Sequence, residues 1–341
     1  MKFKTLQLKK TAFAMLIGLL LSVAGLTNAF AQDQIAVLQH EGVITTYYGG
    51  NAFVDAYTAA ENGDMITLSE GTFNGCSINK AITIHGAGYS YDSISMTAGT
   101  RLNGSIYING GTQAEHLVIE GIGFVTIWYQ ELAYAELKRC SISHIYDSSD
   151  ASAHDVRFIN CSIGTLDLEK ATNFVFINSV VNKAEAFKSQ TTEKNVIGYN
   201  SYFYFYCTGT GCNNNKPKYS DFTNCILGEY NNNMIPESSC ILNNCICIKG
   251  GYGSLLQNAT HTNCMEVESL EDIFEDEGYY VLKDEIATSF LGTDGTQVGI
   301  YGGICPWTDR PIYMIMRHCT VGTRTTNDGH LSVDIEVVTE Q

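Results

Sequence analysis

Proline and basic residues are what this chain has least of. Four prolines and 20 Lys plus Arg stand among 341 residues, against 36 Asp plus Glu and 32 glycines. The formal charge of −16 leaves no broad basic surface. That argues against nucleic acid and anionic membranes as partners, since both are held largely by clustered Lys and Arg. Neutral glycans remain compatible, and anionic ones only where a local basic groove exists. With proline rare and Gly, Asn, Ser, Thr and Tyr plentiful, short strands joined by many turns are favoured over helices.

The first 31 residues hold no acid at all. Lys2, Lys4, Lys9 and Lys10 open them, residues 11–26 are uncharged and apolar, and Ala29-Phe30-Ala31 follows with small residues where a signal peptidase reads. A signal peptide over 1–31 is therefore expected, cleaved after Ala31, with the mature chain secreted, periplasmic or at the cell surface. The apolar run is too short for a comfortable membrane span, and no Cys follows it to carry a lipid. Losing four lysines takes the formal charge from −16 to −20.

Twelve cysteines in an exported chain ordinarily suggest a disulfide framework. Their spacing suggests otherwise. A small residue flanked by apolar ones recurs at Cys140, Cys161, Ser179, Ser201, Cys225, Cys245 and Cys264, at intervals of 21, 18, 22, 24, 20 and 19. Six of the seven follow an asparagine: Asn160, Asn178, Asn200, Asn224, Asn244 and Asn263. Helical repeats need roughly 33 residues or more per unit, and leucine-rich repeats need a Leu pattern that is missing here. A parallel β-helix fits, in which coils lie about 4.8 Å apart and equivalent residues stack. The asparagines would then form an amide ladder, and the cysteines would be small buried core residues. Stacked Cβ vectors point the same way, which suits free thiols better than disulfides. Cys207 and Cys212, in a Gly-bearing loop, could close a local bridge.

Residues 51–61 put Phe53, Ala56, Tyr57 and Ala60 on one helical face behind an Asn51 cap, as a helix covering the open N-terminal end of the stack would. Residues 63–90 run Gly-Asp, an alternating strand, Glu-Gly-Thr-Phe, a second strand, then Ile-Thr-Ile-His-Gly-Ala-Gly. This stretch resembles the first coil of secreted bacterial right-handed parallel β-helix proteins of the pectate-lyase-like superfamily. Residues 292–303, GTDGTQVGIYGG, are similar to the closing segment of many of them. The resemblance covers residues 63–303 and implies an all-β, single-stranded right-handed parallel β-helix of about ten coils. Residues 32–62 would form the N-terminal segment and cap. Residues 304–341 carry strand-like runs at 311–316 and 331–338, which would pair as a hairpin capping the far end or begin an interaction module.

Chemistry is less legible. The Asn-Thr-Asp, Asp-Asp, Gly-His-Gly and Arg-x-Lys series of glycoside hydrolases on this fold is missing, and Asn327-Asp328-Gly329-His330 reads as a hairpin turn. Lyases on this fold pair acidic Ca²⁺ ligands with a basic residue that takes the proton α to a uronate carboxyl. The weak candidates for that chemistry are Asp147, Asp150, Asp155 and Arg157, with Lys170 near them; the bland reading is a solvated Asp/Ser turn between coils. His144 and His154 flank that turn, and no Cys/His spacing matches zinc. Asp294 reads as a turn residue. In residues 202–206 Phe203 and Phe205 alternate with Tyr202, Tyr204 and Tyr206, so the phenylalanines face inward and the tyrosines outward. Those tyrosines, with Trp128 and Tyr129, are candidates for stacking against sugar rings, or else for packing beneath residues 208–218. The acidic run 266–277 spaces Val267, Leu270, Ile273 and Phe274 as a solvated short helix over the last coils. The expected function is carbohydrate binding or a surface role without catalysis and without a cofactor. The alternatives are a divergent polysaccharide (uronate) lyase, which alone would call for Ca²⁺, and a cell-surface adhesin.

Overall fold

The computed structural model describes residues 34–90, 98–168, 171–185, 194–206, 216–230, 236–249, 253–276, 278, 280–308, 314–325 and 331–339. The signal segment, Lys170, Cys207, Cys212 and residues 327–330 lie outside them, as do the side chains of Asp150 and of everything beyond residue 308.

The chain is an all-β, right-handed parallel β-solenoid of about eight turns, close to the coil number expected. Two parallel ladders run its length. The first stacks Met65–Leu68, Thr83–His85, Leu117–Glu120, the second half of Ile122–Lys138, the second half of Ser141–Ile159, Ala171–Ile177, Val196–Tyr199, Asp221–Thr223, Ile241–Asn243 and Thr260–Thr262. The second stacks Gly71–Asn74, Thr100–Tyr107, the first halves of the same two long strands, Ser162–Asp167, Val180–Glu185, Tyr202–Tyr206, Ile226–Tyr230, Ile246–Ile248 and Met265–Val267. Along the second ladder Ser141, Ser162, Val180, Tyr202, Ile226, Ile246 and Met265 stand in register. Each directly follows one of the seven Cys or Ser positions, so the repeat read from sequence is the physical repeat. Inward side chains, among them Phe158, Phe174, Phe176, Phe203, Phe205 and Phe222, fill one continuous core.

The corner between the ladders explains the Asn-Cys/Ser pair, though not in the way expected. Asn160, Asn178, Asn200, Asn224, Asn244 and Asn263 all have φ between 47° and 55°. This is the left-handed region that Asn tolerates better than most residues. Among the described residues, amides bond along the stack only from Asn263 to Asn244 and from Asn244 to Asn224. The regular side-chain ladder belongs instead to the next residue. Its hydroxyl or thiol donates to the carbonyl two residues back: Ser179 to Ile177 O at 3.0 Å, Ser201 to Tyr199 O at 2.8 Å, Cys225 to Thr223 O at 3.3 Å. It also accepts the backbone N–H of the coil before: Cys161 N to Ser179 Oγ at 3.1 Å, Ser179 N to Ser201 Oγ at 3.0 Å. Ser and Cys are interchangeable here because each is small and each both donates and accepts. The nine cysteines whose side chains are described are all free.

The N-terminal end is closed by more than the expected helix. An antiparallel pair, Ile35–His40 and Val43–Tyr48, adds to the edge of the first ladder through Met65–Leu68. The helix Ala52–Ala59 buries Ala52, Phe53, Ala56 and Tyr57 against the core. Asn51 does not cap it through its side chain, whose Oδ1 accepts from Asn74 Nδ2 at 2.7 Å. C-terminal to these in sequence, Met314–Thr325 and Leu331–Thr339 pair antiparallel in a separate two-stranded sheet. No helix among the described residues is long and apolar enough to cross a membrane.

The expected acidic helix is absent. Leu270–Asp272 is a single 3-10 turn closed by a Ser269/Asp272 capping box, and Phe274–Asp276 pairs antiparallel with Val281–Leu282. Ile273 and Phe274 are buried in a second apolar cluster with Val180, Tyr202, Ile226, Ile246 and Ile248 on the outer side of the second ladder. From there residues 291–305 run back along the Asn corner. Asn244 Nδ2 donates to Leu291 O, Asn224 Nδ2 to Thr293 Oγ1, Asn178 Nδ2 to Ile300 O at 2.7 Å and to Gly302 O at 2.6 Å, and Asn160 Nδ2 to Cys305 Sγ. The GTDGTQVGIYGG stretch is thus a strap along the flank of the stack. Asp294 is a turn residue within it, its carboxyl held below the usual range by hydrogen bonds from Thr296.

Candidate functional site

Among the described residues, the outer side of the second ladder is covered by parts of 268–307 over its later coils and open over its earlier ones. On the open part, period-two alternation places Tyr107, Trp128 and Tyr146 in register on three consecutive strands. Tyr107 is 48% exposed, and Trp128 and Tyr146 are half-buried. The Trp128 and Tyr146 rings lie 5.1 Å apart at 40°. His144 stacks on Tyr146 at 5.5 Å and 9°, its Nδ1 3.2 Å from the tyrosine hydroxyl, which fixes that ring. Next to the rings along the same strands stand Thr126, His144 and Thr165 in register, with exposed Val125 before them; the Gly123, Ser141 and Ser162 row lies further back. At Gly164 there is no room for a side chain, since a Cβ would fall 2.5 Å from Ser143 O.

Across the bend of the same long strands lies a second feature. His116, Tyr134 and His154 form another ring series, at 5.9 Å and 5.1 Å. It leads into a cleft of about 470 Å³ lined by His154, Asp155, Thr172, Asn173, Lys194 and Ile197. Asp155 Oδ2 lies 3.0 Å from His154 Nδ1, and Oδ1 accepts from Asn173 Nδ2. Burial pushes the Asp155 carboxyl up, but the His154 and Asn173 hydrogen bonds outweigh it and hold it below the usual carboxylate range. Lys194 is ion-paired with Asp221.

The residues singled out from sequence separate accordingly. Asp147 ends the second-ladder half of its strand beside Tyr146, opposite Tyr129. Asp155 is in the cleft, and Arg157 is exposed and paired with Glu136 at 3.3 Å. No cleft collects Asp147, Asp155 and Arg157, and no group of three or more potential metal ligands occurs among the described residues.

Two of the five candidate aromatics are corrected by burial. Tyr129 is fully buried, because alternation that turns Trp128 out turns its neighbour in. Tyr202 points outward as expected but is only 4% exposed, packed against Phe274 and Tyr280 of the return segment. Tyr204 and Tyr206 are half-buried, with Lys183 Nζ 4.6 Å from the Tyr206 ring. Trp128 alone of the five belongs to the open ring column. Tyr107 and Tyr146 were missed, although Tyr146 stands six residues after Cys140 and its register extends back to both other rings. No family model, no curated protein and no solved structure matches the chain, which leaves the ring column and the cleft as the ground for function.

Proposed function

We propose that this is an exported carbohydrate-binding protein, a secreted bacterial relative of the pectate-lyase-like β-helix proteins that it resembles, and that it holds a polysaccharide on the open outer face of its second ladder. The observation that carries this reading is the column Tyr107, Trp128, Tyr146 on three successive strands. Rigid rings at the strand spacing offer apolar faces to successive sugars while leaving their hydroxyl edges in water, so affinity comes without ordering a loop.

Affinity electrophoresis of the mature protein through gels containing a panel of neutral and uronate polysaccharides, with and without Ca²⁺, tests it. Trp128→Ala should remove about 1.5–3 kcal/mol of apolar contact, which is on the order of ten- to a hundredfold in affinity. Tyr107→Ala, at the exposed end, should weaken retardation less. Retardation by a glycan that both variants leave intact would defeat the proposal. Release of unsaturated product would favour a lyase, and no retention by any glycan would favour an adhesin.

A further inference from the structure

The ring column does not stop at Tyr146. Asp167 takes the same register position one strand on, because Leu166 pairs with Ile145, and Glu185 takes it on the strand after that, opposite Asp167. Asp147 follows Tyr146 along its own strand. Strands in a ladder are about 4.8 Å apart, so a chain laid along the rings meets carboxylates within the next sugar or two. Arg101 is in register with Gly123 at the opposite end of the strands, and Lys183, two residues before Glu185, turns its Nζ onto the ring of Tyr206, the register position after Glu185.

We infer that the bound polysaccharide is uncharged, and that Asp167 and Glu185 determine this; the inference rests on the glycan reading above. A sugar hydroxyl donates to a carboxylate in a charge-assisted hydrogen bond, and a carboxylate has several lone pairs with which to accept one. A uronate brings an acceptor of the same sign to the same place. At these separations, well inside the Debye length of roughly 10 Å at 0.1 M salt, the repulsion is only partly screened. The acids thus extend the platform for a neutral chain and end it for an anionic one.

Matched chains that differ only in charge test this. Fully methyl-esterified polygalacturonate and its de-esterified twin are run beside neutral glucan, mannan and xylan, with retardation as the readout. At low salt the uncharged twin should bind at least about tenfold more tightly than the charged one, a difference of about 1.4 kcal/mol. Asp167→Asn combined with Glu185→Gln should narrow that ratio below about threefold, weakening the neutral chains as their charge-assisted bonds are lost and relieving the repulsion on the charged one. Because that variant could disturb the fold, the wild-type protein is also titrated with NaCl, which should narrow the ratio in the same way without any substitution. Equal or tighter binding of the charged twin by the wild type would overturn the inference. So would a ratio that neither salt nor the double variant moves. Where retardation depends on Trp128 but ignores charge, only the specificity fails; where no polysaccharide is retarded, the glycan reading falls and takes this one with it.

Discussion

At the scale of single residues, the fold turns on one corner repeated along the stack. Asn holds the left-handed bend, and the Cys or Ser after it satisfies the backbone that the bend would leave unpaired. Asn178 does more, since its amide donates to Ile300 O and Gly302 O. Replacing it with Leu puts a poor residue in the left-handed region, at roughly 1–2 kcal/mol. It also strips the buried Gly302 O of its donor, at about 1–3 kcal/mol, whereas Ile300 O keeps the Trp307 N–H. Asn178→Leu should therefore cost about 2–5 kcal/mol in denaturant unfolding, and Asn178→Gly distinctly less, because glycine keeps the backbone conformation. Equal losses would show that strain is not part of the cost. The Asn-Cys/Ser pair was legible in the sequence because it recurs; its cause was not. A repeat reveals that a position is constrained, whereas a positive φ and a thiol donating two residues back exist only once the chain has bent.

At the scale of elements, the return segment is where sequence and structure part most clearly. Val267, Leu270, Ile273 and Phe274 fit a helical stripe, but that pattern reports only which residues want burial. The surface waiting for them, Val180, Tyr202, Ile226, Ile246 and Ile248, comes from coils up to about ninety residues earlier and favours an extended hairpin. The same blindness misassigned Tyr202, whose outward direction is legible but whose cover is not. Phe274→Ala should cost about 3–5 kcal/mol where the ring is packed. The loss should appear as faster amide exchange confined to 268–307, with the coil strands still protected, because a flank can open without unstacking the solenoid. Exchange rising equally in Phe158–Phe176 and in the flank would contradict that.

At the scale of the whole molecule, stability is shared among neighbours, since each coil touches mainly the ones before and after it. The cysteines are built-in reporters of this. Cys140, Cys245 and Cys247 are buried, and burial pushes each thiol well above its ordinary range; Cys240 is pushed up to about 11 for the same reason. At pH 8 these thiols should resist an alkylating reagent in native buffer, while denaturant should expose them in groups of adjacent coils. Prompt native labelling of Cys245 would mean the core is not closed there. The architecture was largely readable in advance because stacking forces a period on the sequence. The site was readable only at Trp128, because an open face and a covered one share the same alternation.

The strap also sets an order in time. Coil-to-coil hydrogen bonds span about twenty residues and can close as the chain emerges, so the stack can zip up locally. The bonds from Asn178 to Ile300 and from Asn160 to Cys305 join residues 122 and 145 positions apart. They cannot form until nearly the whole chain is present. Until then the Asn corners and the apolar flank over Tyr202 stand uncovered, so an interrupted chain would carry a folded stack with a sticky side. The finished molecule is the one that has hidden it.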